Sequence, residues 1–203
     1  TADYTSSGSG ATTKVFKYTI RAGDNDSNGI SIRANALALN NGTIRDLAGN
    51  NATLTHSVVD NNSSYKVDTT LPTVSSVAIT SAEGIQNSFL NAGDNVSVTV
   101  TFSENVPVTN TPQLTLAVGS DNQTAMYASG DNSTTLVFQY TIQAGDNDTN
   151  GISIGEDSLA LNSGTISDPA GNNATLTHSA VSANNSYMVD TTAPTVDNFT
   201  ITH

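Results

Sequence analysis

The chain has 203 residues, no cysteine, no tryptophan and a formal net charge of −12. All six basic residues (Lys14, Lys17, Arg21, Arg33, Arg45, Lys66) fall in the first 66 positions against five acidic ones, and the remainder carries thirteen acidic residues and no Lys or Arg. That distribution argues against nucleic acid, whose phosphates need basic patches, and against anionic membranes; no long apolar run suits membrane insertion.

A chain without disulfides needs a good core or another staple, and metal is the natural substitute. Because it opens at Thr1 with no leader, the chain is expected to be an internal piece of something longer. Sliding it by 122 positions aligns residues 12–74 with 134–196, and 46 of those 63 pairs are identical. Upstream, Ala2-Asp3-Tyr4 matches Ala125-Met126-Tyr127. A unit of about 122 residues is the size of a sandwich domain, not of a solenoid turn.

The phase of the repeat divides the chain. Residues 1–67 read as the C-terminal part of a repeat and 68–190 as a complete one. Residues 191–203 read as a linker and the first strand of a further repeat, because 196–202 matches 74–80. Within the complete unit, 74–80 alternates as a strand and 81–95 is a long polar connection. Val96-Ser97-Val98-Thr99-Val100-Thr101-Phe102 alternates strictly, so it is a half-buried strand. Residues 103–112 read as a loop, then strands at 113–118 and 124–128 around Gly119-Ser120-Asp121-Asn122. The run 134–143 puts Leu136, Phe138, Tyr140 and Ile142 on one face. Shorter strands are expected at 151–154, 159–161, 164–166, 174–181 and 186–189. No window has a helical period, so the fold class is all-β, in tandem β-sandwich domains.

The acidic loop is Ala144-Gly145-Asp146-Asn147-Asp148-Thr149-Asn150-Gly151, repeated at residues 22–29. Oxygen-bearing side chains at alternate positions, followed by a glycine, are how a short loop wraps a hard divalent cation. Two carboxylates two positions apart also repel unless a cation sits between them. Asp24, Asp26, Asn28 and Asp146, Asp148, Asn150 are therefore calcium candidates. Where an EF-hand loop places its final Glu stand Asn35 and Asp157, and no helices flank the loop. In a sandwich, alternate loops share an end. A junction site is thus expected from Asp24 and Asp26 of one domain, Asp68 of the linker, and Glu104, Asp168 and Asn172 of the next, and Asp46, Asn50 and Asp190 play the same parts at outer junctions. The rival reading makes Asp168-Pro169-Ala170-Gly171-Asn172 a plain turn.

Several signals are set aside. Gly151-Ile152-Ser153-Ile154-Gly155 has the spacing of a serine-hydrolase elbow but lies in an alternating strand, not a strand–turn–helix. No enzyme activity is expected. His56 and His178 read as polar-face residues, and Thr99 and Thr101 as ordinary strand.

Asp-Thr-Thr-x-Pro-Thr-Val at 68–74 and 190–196, Phe102-Ser103-Glu104-Asn105-Val106, Asp-x-Ala-Gly-Asn at 168–172 and the Ala-Gly-Asp-Asn-Asp loops together resemble bacterial immunoglobulin-like (cadherin-like) tandem repeats of giant secreted surface adhesins and biofilm proteins. The resemblance implies an extracellular, cell-surface stalk, calcium near the joints and neighbouring repeats as partners. The expected function is a structural extender of an adhesin. The alternatives are a glycan- or ice-binding module, or a fibre subunit in which residues 196–202 of one chain complete another.

Overall fold

The computed structural model describes residues 1–5 and 12–201. It is all-β, and no helix occurs among the described residues. The chain forms two compact units, Thr1–Thr70 and Leu71–His203.

In the first unit, strands β1 (Asp3–Thr5) and β2 (Val15–Lys17) pair antiparallel, with Tyr4 opposite Phe16. Further pairing is by isolated bridges, Asp26 with Val67 and Ile32 with Val59.

The second unit carries the regular structure: β3 (Val74–Glu83), β4 (Phe89–Leu90), β5 (Asn95–Val106), β6 (Val108–Thr109), β7 (Gln113–Val118), β8 (Asp121–Ser129), β9 (Ser133–Thr141), β10 (Asn147–Asp148), β11 (Leu159–Ala160), β12 (Thr165–Ile166) and β13 (Met188–Asp190). Six of them form one antiparallel sheet in the order β11-β7-β8-β9-β5-β3. Smaller sheets are β10-β13-β4 and β12-β6. The period-two pattern of β5 explains its place. Val96, Val98, Val100 and Phe102 are buried, and three of them lie opposite Tyr140, Phe138 and Leu136 of β9. From the chain's second half, Ile152, Ile154, Ile166 and Val189 join the same core. This arrangement is consistent with a β-sandwich.

Three expectations are corrected. The strand at 96–102 runs on to Val106, across a register shift, so Glu104 sits on β5 and not in a loop. The expected strand 174–181 makes only bridges, Thr175 to Thr73 and Val181 to Ile154. Residues 191–201 contain no strand, because a lone strand has no partner to satisfy its backbone, and Thr202 lies outside the described residues.

The hairpin between β7 and β8 is tighter than expected. Val118 pairs with Asp121, leaving Gly119-Ser120 as a two-residue turn with Gly119 at φ +61°. That glycine matters for the acidic loop.

Candidate metal centre

The two acidic loops have the same local wiring. Tyr140 donates its hydroxyl to Asp146 Oδ2 at 2.6 Å, and Tyr18 donates to Asp24 Oδ2 at 2.7 Å. The backbone N–H groups of Gln143 and Arg21 donate to the same oxygens, each at 2.8 Å. Asp148 Oδ1 accepts from Asn150 N and Gly151 N, as Asp26 Oδ1 does from Asn28 N and Gly29 N. The hydroxyls of Thr191 and Thr69 tie each loop to the Asp-Thr-Thr segment after the unit, accepting from Gly145 N and Gly23 N and donating to Asp146 O and Asp24 O.

In the second unit the sheet adds two donors. Gln123 Nε2 reaches Asp146 Oδ1 at 2.9 Å, and Gly119 N reaches Asp148 Oδ2 at 2.8 Å. Asp146 and Asp148 are 6% and 3% exposed, so their charges need these partners. Burial first, then the Asp146 carboxylate, pushes the Tyr140 hydroxyl pKa well above the usual phenol range. In the first unit, hydrogen bonds from Arg21 N and then Tyr18 hold the Asp24 carboxyl low.

Every oxygen of Asp146 and Asp148 thus accepts a protein hydrogen bond, and the two side chains address different partners. No third carboxylate or histidine joins either loop in a three-ligand group among the described residues. Asp24, Asp26, Asp146 and Asp148 are thus hydrogen-bonded within their own units. Asn28 and Asn150 contribute backbone N–H groups to the same turns. The repeated glycine has its own reason. A Cβ on Gly151 would lie 1.9 Å from Asn184 O, and one on Gly29 would lie 2.0 Å from Asn62 O. Both also have positive φ, +93° and +102°.

The junction residues behave differently. Within the second unit, one carboxylate oxygen of Glu104 and one of Asp168 lie within 4.8 Å of each other. Asp168 is 2% exposed. Its Oδ1 accepts from Asn172 N at 2.8 Å and its Oδ2 from Asn172 Nδ2 at 2.6 Å. Burial raises the Asp168 pKa, but the Asn172 side chain and backbone N–H groups outweigh it and hold the carboxyl below its usual range. Asp168 is therefore an ionised, buried carboxylate beside a second acid. Carboxylate oxygens of this kind suit a hard divalent ion.

Asp46 and Asn50 reproduce that geometry at 2.8 Å in both bonds, though exposed, and hydrogen bonds from Asn50 hold Asp46 low. Asp68 and Asp190 each accept from the backbone N–H two residues on, Thr70 and Thr192, which shapes the two Asp-Thr-Thr turns. The expected strand 151–154 makes only isolated bridges, Ser153 to Ala117 and Ile154 to Val181. His178 Nε2 accepts from Ser158 N, and His56 Nε2 from Ala36 N. Sequence reasoning missed Gln123 and Tyr140 as partners of Asp146. The one available signal was that Tyr stands six positions before the Asp in both copies. No family model, no curated protein and no solved structure matches the chain.

Proposed function

We propose that the chain is a structural extender from the stalk of a bacterial extracellular adhesin, built of tandem immunoglobulin-like sandwich units whose joints are stiffened by calcium. The buried, ionised Asp168 beside Glu104 carries this reading. Two acids at that distance repel, and a divalent cation between them turns the repulsion into attraction. Asn172 supplies a further oxygen, and Asp68 of the linker is the ligand that couples the ion to the joint. Asp46, Asn50 and Asp190 hold the equivalent places at the outer joints. The acidic loops serve as rigid hydrogen-bonded ends of each unit.

Thermal melts with calcium and with chelator test the reading. Calcium raises the melting temperature of the unmodified chain and chelator lowers it, by linkage to the folded state. Glu104→Gln keeps the fold and loses most of that calcium response. Equal melting temperatures and an equal scattering-derived length in calcium and in chelator would refute it.

A further inference from the structure

Within the second unit, the edge of the main sheet borders an open groove. β3 is terminal in the six-stranded order and pairs only with β5. Beside it runs segment 177–181. The two walls meet at one end, where Thr175 N donates to Pro72 O at 2.8 Å and Thr73 bridges Thr175 in parallel. Past that point no backbone hydrogen bond joins them among the described residues. The space between is a groove of about 570 Å³, lined by Val74, Ser75, Ser76 and Val77 on one side and by residues 177–181 on the other. Thr177 and Ala180 on the second wall make no backbone hydrogen bond among the described residues.

The second wall is held away from β3 by a histidine staple. His178 Nε2 accepts from Ser158 N at 3.0 Å, His178 N donates to Asp157 Oδ1 at 2.8 Å, and Asp157 N donates to His178 O at 3.2 Å. Val181 and Ile154 exchange backbone bonds at 2.8 and 3.0 Å. These bonds commit segment 177–181 to residues 154–158, so the groove is formed in advance of any occupant. The first unit has the same staple: His56 Nε2 accepts from Ala36 N, and Asn35 Oδ1 accepts from His56 N. There the turn reads Arg33-Ala34-Asn35, where the second copy has Gly155-Glu156-Asp157. The staple therefore forms without either acid, and the fold does not require the charges of Glu156 and Asp157. Both are exposed on the groove lining. No Lys or Arg follows Lys66, so no basic side chain of this unit neutralises them.

We propose that this groove binds an extended, Lys- or Arg-bearing peptide segment of another protein, as an added strand along β3. The backbone of that segment pairs with the outer edge of β3 and with the groups of Thr177 and Ala180. Its basic side chains meet Glu156 and Asp157, so charge complementarity selects the occupant. Bulges at Val74/Ser76 and Ile79/Ser81 break the edge into short runs. That keeps the added strand short and discourages open-ended pairing between copies of the sheet.

Titration at fixed calcium with a panel of short blocked peptides, alternating Lys or Arg with Val or Thr, tests the proposal. At least one peptide binds saturably by fluorescence anisotropy and slows amide exchange at residues 74–77 and 177–181. Glu156→Gln with Asp157→Asn keeps the staple, as Asn35 does in the first unit, and weakens that peptide by roughly two- to thirtyfold, the range of two exposed charge pairs. The same peptide methylated on alternate backbone nitrogens loses binding, because strand pairing uses those N–H groups. Peptides with Glu in place of the basic residues do not bind. Absence of saturable binding across the panel overturns the proposal. So does equal binding of the methylated or Glu-bearing peptides, or protection that maps away from the two walls.

Discussion

At the scale of single residues, the acidic loops show how one sequence pattern serves two chemistries. Asp-x-Asp-x-Asn-Gly is a cation loop when its carboxylates converge on an ion and an Asx-type turn where each caps nearby N–H groups. Here the glycine is required by close backbone packing, so Gly151→Ala is expected to destabilise by at least about 1–3 kcal/mol in chemical denaturation. Gly155 has ordinary φ and open space around its Cβ position, so Gly155→Ala is expected to change little. The Tyr140 hydroxyl gives an alkaline signature. Its folded-state pKa is raised, so its contribution to stability is full below the ordinary value of 10.0 and declines as pH rises beyond it. A stability–pH profile of Tyr140→Phe is expected to be flatter above that point than that of the unmodified chain. Asp168 has the opposite sign. Its pKa is lowered, so its contribution is present above the ordinary 3.8 and is lost as pH falls through the folded-state value. Asp168→Asn is expected to blunt the acid limb of the same profile.

At the scale of elements, the two copies of the repeat form an internal comparison. Phe138 is 0% exposed and its twin Phe16 is 40% exposed; Ile152 and Ile30 differ in the same way, 0% against 44%. Local hydrogen bonds are nearly identical between the copies, so local sequence is not the cause. The difference is the segment from β3 to β7, which contributes to the core of the second unit and has no counterpart among the described residues of the first. Phe138→Ala is expected to cost about 3–5 kcal/mol of unfolding free energy. Phe16→Ala is expected to cost well under that, because little surface is removed from water. The alternating strands were legible from sequence, β5 and β9 above all. The segment 174–181 was not, because its alternation is real but its neighbours offer only single bridges.

For the whole molecule, burial is lopsided: every residue of the main core belongs to Leu71–His203. Native-state hydrogen exchange is therefore expected to be fast across residues 15–59 and slow across β5 and β9. A chain whose first unit exchanges as slowly as its second would contradict that division.

The sequence by itself determined the strand class, the repeat, the linker turns and which side chains alternate toward a core. These follow from period, turn chemistry and self-similarity, all of which act over a few residues. Only the tertiary structure decided which copy of a given residue is buried. It also decided that Asp146 and Asp148 meet Gln123 and Gly119, and that Glu104 is drawn beside Asp168. Those outcomes depend on chain segments 23, 29 and 64 residues away. A carboxylate's role is set by which donors or charges close around it, and pairing at that range leaves no periodic mark on the sequence.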